Sequence, residues 1–93
     1  MNIVFDPDKD AGNRAKHGIS LAEADFLVWD AALTWQDRRR DYREPRQIAL
    51  APLGERLYCV VYVDRGDERR VISLRKANQR EFDRYETETD TAG

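Results

Sequence analysis

Ninety-three residues, 41% hydrophobic and 37% charged, describe one small folded domain and exclude a disordered chain. No apolar run approaches the roughly 18 residues of a membrane span, and the single cysteine, Cys59, has no partner for an internal disulfide. The net charge of −2 hides a division: residues 1–37 carry 3 basic and 7 acidic groups, residues 38–85 carry 13 and 8, and residues 86–93 are acidic.

In chain order, residues 2–5 (NIVF) read as a short strand. Asp6 then caps a helix whose first position is Pro7, where the missing N–H is harmless. That helix is expected to run to His17, with Gly18 as the left-handed residue that stops it. Ser20-Leu21-Ala22-Glu23 has the form of a capping box for a second helix, with Leu21, Ala24, Leu27 and Val28 as its apolar face. Residues 32–37 form a strand, and RRRDYREP a charged loop.

Strands over 46–51, 56–64 and 68–76 follow, the last two joined by a DRGD hairpin in which Gly66 takes positive φ. The middle strand is apolar on both faces and therefore central. Strict alternation in the next one groups Arg70, Ile72 and Leu74 against Val71, Ser73 and Arg75. Asn78-Gln79-Arg80-Glu81 opens a last helix through Tyr85, and the acidic residues 87–93 are expected to fray. The order β-α-α-β-β-β-β-α, with helices segregated from an antiparallel meander, makes a single α+β domain over residues 1–86.

Three groups of residues carry chemistry. The first is NRAKHGIS, which holds the only histidine. A helix C-terminus favours a nearby cation, so His17 suits that position on structural grounds alone. The same surroundings suit a general acid or a phosphate ligand, with Lys16 and Lys9 on the same helix. The second is LRKANQRE, where Arg75 and Lys76 end a strand and Arg80 and Glu81 open a helix, a place for an anion unless Glu81 only completes its cap. The third is Arg38, Arg39, Arg40, Arg43 and Arg46 around Tyr42, a pattern that suits single-stranded RNA or simply a solvated loop. Trp29 and Trp35 read as core.

Thirteen of the sixteen basic residues are arginine, whose fork matches phosphate. DPDKDAGN has the acids of a calcium loop but Ala11 in place of the loop's glycine and His17 in place of its glutamate, so no calcium site is expected. No metal set or other cofactor motif occurs either.

FDPDKDAGNRAKHGISLAEA followed by RVISLRKANQREFDRYE resembles the BrnT family of toxins from type II toxin–antitoxin modules. Two separated motifs carry the resemblance: D-P-x-K with N-x-x-K-H-G, then I-S-x-R-K-A with E-x-x-x-Y. It implies a RelE-like fold, endoribonuclease activity that arrests growth, and a cognate BrnA-like ribbon-helix-helix antitoxin that binds operator DNA in a hetero-oligomer. A bacterial cytoplasmic location and no membrane partner are expected.

Carried over by position, the family motifs fall on Lys9, Asn13, Lys16, His17 and Gly18, and on Arg70, Ser73, Arg75, Lys76, Ala77, Glu81 and Tyr85. The expected catalytic set is His17, Arg75, Lys76, Glu81 and Tyr85, with Lys9, Asn13, Lys16, Arg70 and Arg80 on the RNA. A metal-free attack of the ribose 2′-OH is the expected reaction. Arg70 joins Arg75 on one face only where the strand bulges or twists. The rival readings are a non-catalytic antitoxin-binding co-repressor and an RNA- or ribosome-binding translation blocker.

Overall fold

The computed structural model describes residues 1–41 and 43–89; Tyr42 and residues 90–93 of the acidic tail lie outside the described residues. The elements are β1 (Asn2–Val4), α1 (Pro7–His17), two 3-10 turns (Leu21–Phe26 and Trp29–Ala31), β2 (Leu33–Asp37), β3 (Arg46–Leu53), β4 (Arg56–Arg65), β5 (Glu68–Lys76) and α2 (Gln79–Thr89). They form the expected α+β domain around one five-stranded sheet of order β1-β5-β4-β3-β2. All neighbours are antiparallel except β1, which lies parallel to β5. The last helix continues to Thr89, beyond the point where fraying was expected. No helix among the described residues is long and apolar enough to cross a membrane.

β4 is central and covered on both faces, as its composition requires. Tyr58, Val60 and Tyr62 join Leu21, Ala24, Leu27, Ala49, Ala51, Val71 and Leu74 in the main core. Cys59 and Leu57 point the other way, into a smaller cluster with Leu50, against which Leu33, Trp35, Ile48, Ala77 and Tyr85 pack. Burying one such aliphatic side chain contributes about 1.5–3 kcal/mol, so the main core anchors the fold and the smaller one leaves its sheet face partly open.

The expected second α-helix is instead the pair of 3-10 turns. Leu21, Ala24 and Leu27, all buried, recur every third residue, which is the period of a 3-10 helix. Ser20 still caps the segment, its hydroxyl accepting from the Ala22 N–H at 3.1 Å. Val28, expected on the apolar face, is exposed, and its N–H donates to the Pro52 carbonyl at 2.8 Å.

α1 has no apolar stripe, and its one buried side chain is Asn13. It is held by polar contacts to backbone. The Asn13 amide donates to the Leu74 and Ile19 carbonyls at 2.8 and 2.9 Å, and its oxygen accepts from the Leu74 N–H at 3.1 Å. β1 pairs only with residues 68–70 of β5, so Asn13 supplies the partner that the following stretch of β5 lacks. Asp10 adds a second clasp, accepting from the Leu21 N–H at 2.7 Å and the Ser20 hydroxyl at 2.9 Å.

The β4–β5 ladder contains a bulge. Val61 pairs with Ser73 but Tyr62 pairs with Val71, which leaves Ile72 as the extra residue. Strict alternation therefore fails in β5. Val71 and Leu74 both enter the main core, while Arg70, Ser73 and Arg75 all take the opposite face, across from Val63, Val61 and Cys59.

Candidate active site

The open part of the sheet face holds two adjoining cavities. One, of about 350 Å³, is lined by Lys16, His17, Trp35, Arg39, Ile48, Cys59, Val61, Ser73, Arg75 and Glu81. It joins the end of α1 to the end of β5 and the start of α2, so the two distant sequence motifs meet here. His17 is the last residue of α1, and Gly18 at φ 73° turns the chain away while its N–H caps the Arg14 carbonyl at 2.9 Å. His17 and Lys16 are exposed at the cavity.

Arg75 and Glu81 form a paired unit at its wall. The two terminal guanidinium nitrogens, Nη1 and Nη2, donate to the two Glu81 carboxylate oxygens at 2.8 Å each. Glu81 also completes the expected capping box: its Oε1 accepts from the Asn78 N–H at 2.9 Å, and its own N–H donates to Asn78 Oδ1 at 2.8 Å. The Arg75 hydrogen bonds hold the Glu81 carboxyl below the usual carboxylate range, against the opposing effect of burial. A carboxylate so placed is a weak base. It is well suited to fixing the plane of Arg75, less so to exchanging protons with His17.

Cys59, opposite Arg75 on β4 and lining the same cavity, is buried and its thiol is pushed up to about 11, chiefly by burial. It is therefore a neutral wall rather than a nucleophile.

The second cavity, of about 450 Å³, is lined by Asp6, Lys9, Arg43, Glu44, Arg46, Val63, Arg65, Arg70, Val71 and Ile72. Lys9 from the first half of α1 and Arg70 from β5 meet here, and the Ile72 bulge is what brings Arg70 to this face. The arginine loop is thereby divided. Arg39 serves the first cavity, anchored through Nε and Nη2 on the buried Asp37 at 2.9 and 2.8 Å, while Arg43 and Arg46 serve the second. Arg38 and Arg40 line a separate depression with Asp41.

Four expected site residues lie elsewhere. Lys76 pairs with Tyr58 across the sheet and so takes the face opposite Arg75, lining a depression with Asn78 and Gln79. Arg80 is exposed on α2 and lines neither cavity. The Tyr85 hydroxyl donates to the Ala31 carbonyl at 2.7 Å, and its ring packs on the smaller cluster, so it docks α2. The Asn13 amide is wholly engaged with backbone and positions the helix that carries His17.

Sequence reasoning missed Trp35, which lines the His17 cavity with the Arg84 guanidinium 4.0 Å from its ring centre. Its place on a strand next to the arginine loop was the available signal. Trp29, by contrast, is core: it stacks edge-on with Tyr62 at 5.3 Å.

Among the described residues, no group of three His, Cys, Asp or Glu side chains converges as a metal ligand set would. An imidazole with several cations on a partly open sheet face of a small α+β domain has the chemistry to suit a phosphate group. The chain belongs to the family described as the ribonuclease toxin, BrnT, of type II toxin–antitoxin systems, whose model matches residues 5–81. No curated protein matches the chain.

Proposed function

We propose that this protein is a metal-independent endoribonuclease toxin with a RelE-like fold, acting in the bacterial cytoplasm to arrest growth until a cognate ribbon-helix-helix antitoxin neutralises it. The observation that carries the reading is the convergence of His17, Lys16, Arg39 and Arg75 on one cavity. Its donor set suits an anion. The one carboxylate there is already bridged to Arg75, which leaves little to hold a divalent cation.

In the proposed reaction the ribose 2′-oxygen attacks the adjacent phosphorus and the phosphorus–5′-oxygen bond breaks. The products are a 2′,3′-cyclic phosphate and a 5′-hydroxyl. The 2′-OH gives up a proton and the leaving 5′-oxygen takes one; His17 is the proton-transfer group at one of these two oxygens and water serves the other. Arg75, its plane set by Glu81, and Lys16 stabilise the charge that builds on the phosphoryl oxygens. The cavity aligns the 2′-OH with the phosphorus. Trp35, whose ring carries the Arg84 guanidinium, is an apolar wall beside that position.

End-group analysis tests this. The purified chain should cut a labelled RNA in EDTA, leave a cyclic phosphate, and spare a substrate with a 2′-deoxyribose at the cut. Cleavage that requires an added divalent cation, or that leaves a 5′-phosphate, would contradict the proposed chemistry.

A further inference from the structure

We infer that the cavity around Lys9, Arg43, Arg46 and Arg70 is a second phosphate subsite, which holds the RNA phosphate next to the one that is cut. The inference rests on the ribonuclease reading of the neighbouring cavity. Five basic residues line this second space against two acidic ones. Glu44 is already gripped by Arg65 through a two-point ion pair, and Asp6 is the cap of α1, accepting from the Asp8 N–H at 2.8 Å. Lys9 and Arg70 are different. Neither makes an ion pair or a side-chain hydrogen bond among the described residues.

Arg70 is also half-buried. The Glu44 carboxylate that acts on Arg70 across the cavity is already bridged to Arg65, and a partly desolvated guanidinium with no hydrogen-bonded carboxylate is a poor choice for stability and a good one for an anion. The Ile72 bulge sharpens the point. Regular pairing would have sent Arg70 into the main core face and Val71 out of it, so the bulge both completes the core and delivers Arg70 to the site.

The two cavities share a floor, since Val61 belongs to one and Val63 to the other. These residues are two strand rises apart, about 6.8 Å, comparable with one backbone step of an extended single strand. A trinucleotide is then the shortest RNA that presents both phosphates, and longer single strands gain nothing further from this subsite.

The test is binding and cleavage of a short single-stranded RNA whose phosphates are replaced, one at a time, by neutral methylphosphonates. A 2′-deoxyribose at the cut site prevents turnover in the binding series. One position adjacent to the scissile phosphate should weaken wild-type binding about tenfold, the scale of one charge-assisted contact. The same replacement should have little effect in Arg70→Gln and in Lys9→Gln, two variants at separate elements, so that misfolding of one does not decide the result.

Equal sensitivity of wild type and both variants at every position would overturn the subsite. In the parallel cleavage series, an uncut ribose substrate that still shows the Arg70-dependent position would sink the ribonuclease reading and leave a bound phosphate. Cleavage without such a position would do the reverse.

Discussion

His17 stands where it does because Gly18, at φ 73°, ends α1 and exposes the imidazole at the cavity. The histidine and its glycine stop were legible in the sequence, because local chemistry determines both. The task of Glu81 was only half legible. Its capping box was readable at a spacing of three, but its two-point bond to Arg75 crosses from helix to strand.

The geometry predicts that Glu81→Gln lowers kcat by about tenfold through a looser Arg75, well short of the 10²–10⁴ expected for loss of a proton-transfer group. The lowered Glu81 pKa adds a pH signature. Stability from the pair is present above the ordinary carboxylate value of 4.5 and is lost as pH falls through the lower folded value. Acid titrations of wild type and Glu81→Gln should therefore differ at neutral pH and converge well below pH 4.5. At Cys59, a thiol pushed up to about 11 predicts that native protein resists iodoacetamide at pH 8 while unfolded protein reacts readily.

At the level of elements, α1 is a polar helix whose position depends on Asn13. Asn13→Ala strands the N–H and carbonyl of Leu74, and about 2–4 kcal/mol of stability should be lost in urea unfolding. Asn13 could not be read from sequence as a clasp, because its main partner lies 61 residues away. The β5 bulge was hidden for a related reason. RVISLR is compatible with unbroken alternation, and only the demand that Val71 and Leu74 fill one core selects the bulge. The 3-10 turns were misread as an α-helix since both share Ser20 as cap; the three-residue spacing of Leu21, Ala24 and Leu27 was the missed clue. The central place of β4 was accessible, because apolar residues on both faces admit little else, whereas the parallel seat of β1 beside β5 was not.

Over the whole molecule, the net charge of −2 gives no hint of an RNA partner, whereas the sheet face gathers basic residues from α1, the arginine loop and β5. Binding should therefore weaken with salt despite the acidic chain. Contact with the two phosphates of the adjoining cavities predicts a slope of log K against log salt of about −1.4, shallower in Arg70→Gln.

The central claim is that the cavity joining His17 to Arg75 is where RNA is cut. The most direct test is the single-turnover cleavage rate of His17→Ala beside wild type, with folding checked by circular dichroism and RNA affinity by anisotropy. The rate should fall by about 10²–10⁴ with affinity nearly unchanged. A folded His17→Ala that cuts at the wild-type rate would contradict it, and would return His17 to the ending of a helix.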